Sequence, residues 1–280
     1  MTTRIPTWFI TGASSGFGHA FANYALSKGY NVVATARTIA KLGALKTSAP
    51  DRVLVHELDV TKPHDAKRAV AAAVDRFGAI DVLINNAGYA IVGAAEETPE
   101  HELRALMDTN FFGAATVTQA ALPHMRAKKS GAIVMISSMG GQMSFAGVGA
   151  YSASKFALEG YSEALVQEVS SFGIKVLVVE PGAFRTALVS SSERFMPVHE
   201  DYRETLSGVR KAMHEMDGTQ DGDPLKAAAA IDKALAADKT PLRLQLGGDA
   251  IDAIRDHAKA LLADLEAWEA IGRDTCLDQR

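Results

Sequence analysis

The sequence contains one cysteine, no long apolar run and no large excess of charge of either sign, and each feature excludes a class of protein. Cys276 cannot form an intrachain disulfide, so we expect an exposed thiol near the end of the chain rather than a nucleophile. No apolar run approaches the ~20 residues that a membrane-spanning helix needs. A net charge of −4 indicates no basic surface for nucleic acid. The sequence therefore predicts neither a membrane nor a nucleic-acid partner.

The first residues lead directly into an apolar strand pattern, without the apolar region and cleavage site of a signal peptide. Together with the cysteine usage, this predicts a cytoplasmic protein. No cluster of side chains has the spacing of a metal site, so no metal is predicted. A chain of 280 residues with 48% hydrophobic and 22% charged residues is typical of one α/β unit with a large core. No repeat or linker divides residues 1–280, which we interpret as a single dinucleotide-binding catalytic domain.

Apolar strand patterns alternate with helical patterns along most of the chain. Because the strands are apolar almost throughout, they predict a Rossmann-type doubly wound parallel sheet with helices on both faces. Ligands of such sheets bind beyond the carboxyl ends of the strands. Several residues with suitable chemistry fall at predicted strand ends, namely Gly12, Arg37, Asp59, Asn86, Ser138 and Pro181. Their common position predicts one binding site at that edge of the sheet.

A glycine-rich turn with the spacing G-x-x-x-G-x-G follows the first predicted strand, at Gly12, Gly16 and Gly18. Glycines at such a turn let the backbone approach a pyrophosphate, which then faces the N-terminus of the next helix. A purely structural turn is the alternative interpretation. The strand before the turn and the helix after it favour a dinucleotide site.

The end of the second predicted strand indicates which nicotinamide cofactor is preferred. NAD-binding chains usually carry a carboxylate there, whereas a basic group suits a 2′-phosphate. This chain has Arg37, which predicts NADP(H), with NAD(H) possible; the alternative is a solvated loop arginine. After the third strand, Asp59 is predicted to accept a hydrogen bond from the adenine amino group while Val60 packs on the ring. Asp59 as a helix-cap acid is the alternative.

Tyr151 and Lys155 lie four residues apart within a helical pattern, so they share one face of the helix. A neighbouring ammonium favours phenolate over phenol and lowers the tyrosine pKa toward a range useful for proton transfer. Ser138 ends an apolar strand and is expected to bring a hydroxyl to the same point. Alone, a tyrosine and a lysine at this spacing are more often ordinary surface residues. Asn110, in the middle of a predicted long helix beginning near Pro99, would alone be taken as solvent-facing.

In combination, these motifs resemble the short-chain dehydrogenase/reductase family, in its single-domain, NADP-preferring form. The resemblance covers Pro6 to about Leu188, and the predicted strand at 242–246 resembles the family's last strand. It implies an α/β fold and an oxidoreductase activity. It rests on seven motifs in the family's order and spacing: Thr11–Gly18, Asp59–Val60, Asn85–Gly88, Asn110, Ser138, Tyr151 to Lys155, and Pro181–Gly182 with Thr186.

The family implies a role for each catalytic candidate. Tyr151 would be the general acid for carbonyl reduction and the base for alcohol oxidation, and Lys155 would hold the nicotinamide ribose and lower the tyrosine pKa. Ser138 would hydrogen-bond the substrate oxygen, and Asn110 would bind a water that links Lys155 to solvent. Thr186 and the backbone near Phe184 would hold the carboxamide. The full set of implied cofactor residues is Gly12, Ser14, Ser15, Gly16, Phe17, Gly18, Arg37, Asp59, Val60, Asn86, Ala87, Gly88, Tyr151, Lys155, Pro181, Gly182, Phe184 and Thr186.

Two segments lie beyond the common pattern. Residues 187–223 are weakly patterned and predicted to form a substrate lid, with a disordered surface loop as the alternative. Residues 249–271 carry an apolar stripe on one helix, expected to pack on the body or on a second subunit. The substrate walls available from the sequence are apolar: Met139, Met143, Phe145, Val148, Phe184 and Leu188. For Met139 and Phe145, an ordinary core position is the alternative.

The sequence therefore predicts an NADP(H)-dependent oxidoreductase that interconverts an apolar ketone or aldehyde with an alcohol. The alternative is a catalytically silent protein that senses NADP(H). The small molecule and the cofactor are the predicted partners, together with a second copy in a homodimer formed through the helices that bear Asn110 and Tyr151.

Overall fold

The structure is a computed structural model that describes residues 4–186, 193–216 and 218–277. Its strands, in chain order, are β1 (Thr7–Ile10), β2 (Asn31–Ala36), β3 (Val53–Glu57), β4 (Val82–Asn85), β5 (Ala90–Val92), β6 (Gly131–Ile136), β7 (Ile174–Pro181), β8 (Glu193–Phe195) and β9 (Arg243–Leu246). Its α-helices are α1 (Gly16–Ser27), α2 (Gly43–Ser48), α3 (Pro63–Phe77), α4 (Glu100–Met107), α5 (Gly113–Lys128), α6 (Gly149–Val169), α7 (Arg203–Met216), α8 (Pro224–Ala236) and α9 (Gly248–Arg273).

Seven strands form one parallel sheet in the order β3-β2-β1-β4-β6-β7-β9. Strand β1 lies between β2 and β4, and Phe9 pairs with Val33 on one side and Leu83 on the other. The chain adds strands outward from β1 to β3 and then crosses back to add β4 on the other side of β1. The direction in which strands are added therefore reverses between β1 and β4. In doubly wound sheets this reversal opens a crevice at the carboxyl edge. The predicted fold class is confirmed.

The core lies on both faces of the sheet because successive strand residues point to opposite sides. Trp8 and Ile10 pack under α1 and α8, whereas Phe9 packs under α3 and α5. All three side chains are almost completely buried. Each contributes roughly 1.5–3 kcal/mol of hydrophobic stabilisation relative to an exposed side chain. A sheet covered in this way leaves its strand ends as the open region where a ligand can bind.

Local sequence signals explain several element boundaries. Pro63 occupies the first turn of α3, and Gly78 ends that helix with a φ of +80°, a conformation that glycine adopts without strain. Asp223 caps α8 by accepting a hydrogen bond of 2.8 Å from the amide of Leu225. The predicted long helix begins near Pro99 as expected, but a π-helical turn at Asp108–Phe112 divides it into α4 and α5.

The described part of the predicted lid contains more regular structure than its sequence pattern indicated. It includes β8, which pairs in parallel with β5 in a separate two-stranded sheet, and the amphipathic helix α7. Arg210 of α7 forms a 2.7 Å ion pair with the buried carboxylate of Glu97, which attaches α7 to the body. Among the described residues, no helix combines the length and apolar character needed to cross a bilayer.

Candidate active site

A cleft of about 410 Å³ opens at the carboxyl edge of the sheet, at the crevice between β1 and β4. Most of the cofactor residues predicted from the sequence line this cleft. Gly18 and Phe184 are the exceptions: Gly18 is buried beneath the glycine turn, and Phe184 packs on Phe17 with ring centroids 5.1 Å apart. The predicted residues that line the cleft are Gly12, Ser14, Ser15, Gly16, Phe17, Arg37, Asp59, Val60, Asn86, Ala87, Gly88, Ser138, Tyr151, Lys155, Pro181, Gly182 and Thr186.

The glycine turn is shaped by close backbone approaches that only glycine permits. Gly12 has a φ of +65°, and a Cβ there would lie 3.0 Å from the Cα of Ala87. A Cβ on Gly18 would lie 2.6 Å from Nδ2 of Asn86 and closer still to the carbonyl oxygen of Gly12. The turn therefore holds the N-terminus of α1 against the loop after β4. This cradle, with the helix N-terminus facing the cleft, fits the pyrophosphate of a dinucleotide.

Thr11 joins β1 to the loop after β4 and has a structural part in the site that the sequence did not reveal. Its Oγ1 accepts hydrogen bonds from the amides of Asn86 (2.8 Å) and Ala87 (2.9 Å) and donates to the carbonyl of Ile84 (3.3 Å). Thr11 is only 1% exposed. Its position beside the first glycine was visible in the sequence, but which amides it meets depends on the pairing of β1 with β4.

Tyr151 and Lys155 lie one turn apart on α6, and both line the cleft. The Lys155 Nζ lies 5.6 Å from the centroid of the Tyr151 ring and donates a 2.9 Å hydrogen bond to the carbonyl oxygen of Ile136, at the end of β6. Burial lowers the pKa of Lys155 to about 8, and the carboxyl of Glu159 opposes this shift. An ammonium close to a phenol in a buried site is an arrangement suited to proton transfer.

Ser138 and Asn110 flank this pair in different ways. Ser138 lines the cleft after β6, where its Oγ accepts a 3.0 Å hydrogen bond from the amide of Gly140. Asn110 is buried in the π-helical turn instead of facing solvent. Its Oδ1 accepts from the amide of Tyr89 (3.0 Å), and its Nδ2 donates to the Tyr89 carbonyl (2.9 Å) and to Ser154 Oγ (3.0 Å). Asn110 therefore ties the loop after β4 to α6.

Two guanidinium groups line the cleft, and one of them was not predicted. Arg37 is exposed at the end of β2 and forms no ion pair with any residue that the structure describes. Arg194, on β8, lies 4.8 Å from the ring centroid of Tyr89 and forms a 2.9 Å ion pair with Glu102. Burial raises the pKa of Tyr89, and the positive charges of Arg194 and Arg37 oppose the shift. No sequence pattern pointed to Arg194, since only the pairing of β8 with β5 brings it here.

Asp59 lies on the cleft lining after β3, where Oδ1 accepts from the amide (3.1 Å) and hydroxyl (2.8 Å) of Thr61. It caps this short turn, while the residue that precedes α3 is Lys62. Asp59 is therefore not the cap of α3, and its contact with the adenine amino group stays a prediction.

A buried carboxyl pair lies behind Lys155. Glu159, one turn further along α6, and Glu180, near the end of β7, both face Arg243 of β9, whose Nε lies 3.0 Å and 3.3 Å from their oxygens. Burial and the neighbouring Glu159 raise the pKa of Glu180 to about 7, and burial also raises the pKa of Glu159. Within the described structure, Oε1 of each carboxyl lacks a hydrogen-bond donor. The raised pKa means that Glu180 keeps its proton to a higher pH in the folded chain than an ordinary carboxyl does.

The predicted substrate walls do not line the cleft. Val148 is buried, Met139 and Met143 are half-buried, and Phe145 is 40% exposed. Leu188 and the neighbouring lid residues 187–192 lie outside the described residues, as does residue 217. The substrate assignments therefore remain predictions. Among the residues that the structure describes, no group of three His, Cys, Asp or Glu side chains is arranged to hold a metal ion.

Comparison with known proteins agrees with this geometry. The sequence profile of the family described as short chain dehydrogenase matches residues 6–196. The chain is 39% identical over 265 residues to Oxidoreductase BOA17 of Botryotinia fuckeliana, covering 94% of this chain and 97% of that protein. It is 41% identical over 241 residues to a 3-ketodihydrosphingosine reductase of Bacteroides thetaiotaomicron, covering 85% and 86%.

A solved structure is similar over the whole chain. The crystal structure of a short-chain dehydrogenase from Streptomyces avermitilis superposes with a TM-score of 0.93 at 48% identity, covering 99% of this chain and 100% of that one. The profile match, the relatives and the fold agree with the motifs around the cleft. The chain belongs to the short-chain dehydrogenase/reductase family and is an oxidoreductase.

Proposed function

We propose that the protein is an NADP(H)-dependent oxidoreductase that interconverts a ketone or aldehyde with the corresponding alcohol, with Tyr151 as the general acid and base. The observation that carries this proposal is the position of Tyr151 and Lys155. They lie side by side on α6 and line the same cleft as Ser138 and the glycine turn. Proton-transfer groups and a dinucleotide cradle in one cleft are what a carbonyl reductase requires.

The nicotinamide cofactor is held, in this proposal, by the glycine turn, the loop after β4 and the residues after β7. When bound, it supplies or accepts the hydride. The protein provides the remaining requirements through its own residues. The α1 N-terminus neutralises pyrophosphate charge, and Pro181, Gly182 and Thr186 border the nicotinamide end of the cleft.

In the direction of reduction, Tyr151 donates its phenolic proton to the substrate oxygen. The ammonium of Lys155 stabilises the phenolate that remains, because opposite charges in a buried site attract strongly. Ser138 donates a hydrogen bond to the oxygen on which negative charge develops. In this role the Ser138 hydroxyl keeps its acceptor contact with the amide of Gly140, which orients it. Asn110 positions the loop after β4 and, as the family implies, a water that reconnects Lys155 to solvent.

Replacing Tyr151 with Phe tests the proton transfer. The ring would keep its packing while the acidic proton is lost, so we expect kcat for reduction to fall by at least about 100-fold, the usual contribution of general acid catalysis. Binding of NADPH, followed by fluorescence titration, should change little. If Tyr151→Phe keeps full reductase activity, the acid is assigned to the wrong residue. If no carbonyl compound is turned over by the unaltered protein, while NADPH binding changes its association with another protein, a cofactor sensor is the better account.

The preference for NADP(H) is supported by Arg37, a cation on the cleft lining at the end of β2 that has no ion-pair partner among the described residues. A charge-assisted hydrogen bond to the 2′-phosphate contributes about 1.5–3 kcal/mol, so Arg37→Ala is expected to weaken NADPH binding about tenfold or more. Binding of NADH should change little. Arg194→Ala is the matched comparison, because that guanidinium lines the same cleft but is paired with Glu102. A selective loss of NADPH binding in Arg194→Ala instead would move the phosphate site to β8.

We propose an apolar carbonyl substrate. The support is the 3-ketodihydrosphingosine reductase among the relatives, whose name describes the reduction of 3-ketodihydrosphingosine. A panel of ketones and aldehydes with NADPH tests this, scored by kcat/KM. Higher kcat/KM on polar polyols than on apolar ketones would contradict it.

A homodimer through α4–α5 and α6 is the assembly that the family implies. Phe112 and Phe156, on these helices, are 53% and 46% exposed, which supports an apolar contact there. Small-angle scattering of the purified chain tests this assembly. The cytoplasmic location stays a prediction from the sequence.

A further inference from the structure

The last helix, α9, contacts the body only through its first turns. Ala250 is buried and Ile254 is half-buried, but every residue from Ala258 to Leu277 is exposed. At 1.5 Å per residue, the part of α9 from Ala258 to Arg273 extends about 24 Å beyond its last contact with the body. A feature of this length is a separate surface, and it does not depend on the chemistry proposed above.

This projecting part carries a stripe of large apolar side chains, each more than half exposed, which we name the α9 stripe: Leu261, Leu262, Leu265, Trp268 and Ile271. An isolated helix of this length is marginally stable in water, and helices normally gain their stability by covering an apolar face. Contiguous exposed apolar surface of this kind marks an interaction site. The charges beside the stripe indicate what covers it.

Charged residues of opposite sign occupy the two halves of one flank of the stripe. Arg255 and Lys259 come first, and Glu266 and Glu269 follow. With 3.6 residues per turn, these four residues lie within about 80° of one another around the helix axis. The flank is therefore positive toward the body and negative toward the tip.

We propose that two copies of this chain associate by packing α9 against α9 in antiparallel orientation, with Leu262 near the two-fold axis. Residues at equal distance on either side of the axis then face each other, as in any isologous interface. Arg255 precedes Leu262 by seven residues and Glu269 follows it by seven. Lys259 precedes it by three and Glu266 follows it by four, an offset of one residue that long side chains span. Each cation meets a carboxylate of the other copy, and each pair occurs twice.

The outermost charges follow the same relation to within one residue. Asp252 lies ten residues before Leu262 and Arg273 lies eleven after it, so they too face each other with opposite sign. Within a single copy, Arg255 pairs with Asp252 and Arg273 with Glu269, at exposed positions. Exposed ion pairs contribute little, so exchanging these partners costs little.

Other occupants fit the surface less well. A parallel arrangement would place Arg255 against Arg255 and Glu269 against Glu269, which is repulsive. Helices that lie on membrane surfaces are rich in lysine and arginine, whereas α9 carries six acidic and three basic residues. The net negative charge of α9 opposes binding to anionic lipid.

Charge reversal of the full-length protein tests the pairing by analytical ultracentrifugation. Arg255→Glu and Glu269→Arg each place like charges together twice, so each is expected to weaken the α9 association at least tenfold and to halve the particle mass at micromolar concentration. The double variant restores opposite charges and should restore the mass. Asp238→Arg, a reversal at an exposed position between α8 and β9, is the matched control and should change nothing.

A cysteine cross-link tests the orientation. In a Cys276→Ser background, Leu262→Cys is expected to give a disulfide-linked dimer on mild oxidation. Glu269→Cys should not, because antiparallel packing separates the two copies of that position by about 21 Å, whereas a disulfide needs Cα atoms within about 7 Å. A cross-link at Glu269→Cys would indicate parallel packing and overturn the proposal. So would a double charge variant that fails to recover the mass, or single reversals that leave it unchanged. A parent chain with no α9-dependent association would overturn it as well and leave the stripe to a different protein.

Discussion

Replacing Glu180 with Gln should remove much of the dependence of stability on pH between about pH 4.5 and about pH 7. In the folded chain, burial and the carboxyl of Glu159 raise the Glu180 pKa to about 7, from an ordinary value of 4.5. Between these values the folded state holds a proton that the unfolded state has released. Stability therefore falls as pH rises through this window.

The magnitude follows from the size of the shift. Each pKa unit corresponds to about 1.4 kcal/mol, so a shift from 4.5 to about 7 contributes up to about 3 kcal/mol to the difference in the free energy of unfolding. Glutamine resembles the protonated carboxyl in shape. Its carbonyl can still accept from Gln245, which donates a 2.6 Å hydrogen bond to Glu180, and its amide can donate toward Glu159.

The assay is urea unfolding at several pH values, followed by the fluorescence of the buried Trp8. The parent should lose stability as pH rises, and Glu180→Gln should lose less over the same range, by up to about 3 kcal/mol. Glu163→Gln is the matched control, because Glu163 contacts the same Arg243 but is 54% exposed and should leave the pH dependence intact. Parallel curves for the parent and Glu180→Gln would refute the raised pKa of Glu180.

Three further outcomes are expected. Carbonyl reduction should decline as pH rises through about 8. Burial lowers the pKa of Lys155 to about 8, and the deprotonated amine no longer stabilises the Tyr151 phenolate. A pH profile of kcat that stays flat to pH 10 would contradict this. Gly18→Ala should weaken NADPH binding and destabilise the fold by about 1–3 kcal/mol, because the added Cβ meets the carbonyl of Gly12. Thermal unfolding with and without NADPH measures both effects. A variant with unchanged stability and binding would show that the turn can relax. Thr11→Val should lower the free energy of unfolding by about 2 kcal/mol or more, because the main-chain amides of Asn86 and Ala87 lose their acceptor. An unchanged urea midpoint would argue that these two hydrogen bonds do not stabilise the fold.

The site depends on elements that also carry the core. The residues of α6 that face the sheet hold Lys155 against the carbonyl of Ile136, and the same helix presents Tyr151 to the cleft. Asn110 adds a polar connection from α6 to the loop after β4. Because these contacts are buried, small changes in the core are expected to appear in catalysis before they appear in stability.

Local patterns in the sequence were sufficient for the fold class and for the edge of the sheet where a ligand binds. Alternating apolar strands and amphipathic helices permit few topologies, and parallel strands place all their carboxyl ends at one edge. The i, i+4 spacing of Tyr151 and Lys155 and the glycine turn are also local. For that reason these features are visible without coordinates.

Only the tertiary structure decided the features that depend on contacts between distant segments. Arg194 reaches the cleft because β8 pairs with β5, and the carboxyls of Glu159 and Glu180 meet because α6 packs across β7. The π-helical turn that buries Asn110 depends on the loop after β4, which supplies its hydrogen-bond partners. The exposure of the α9 stripe was equally invisible, since an apolar stripe predicts a contact but not whether its own chain provides it. Sequence spacing determines which side chains share a face, and packing determines what that face meets.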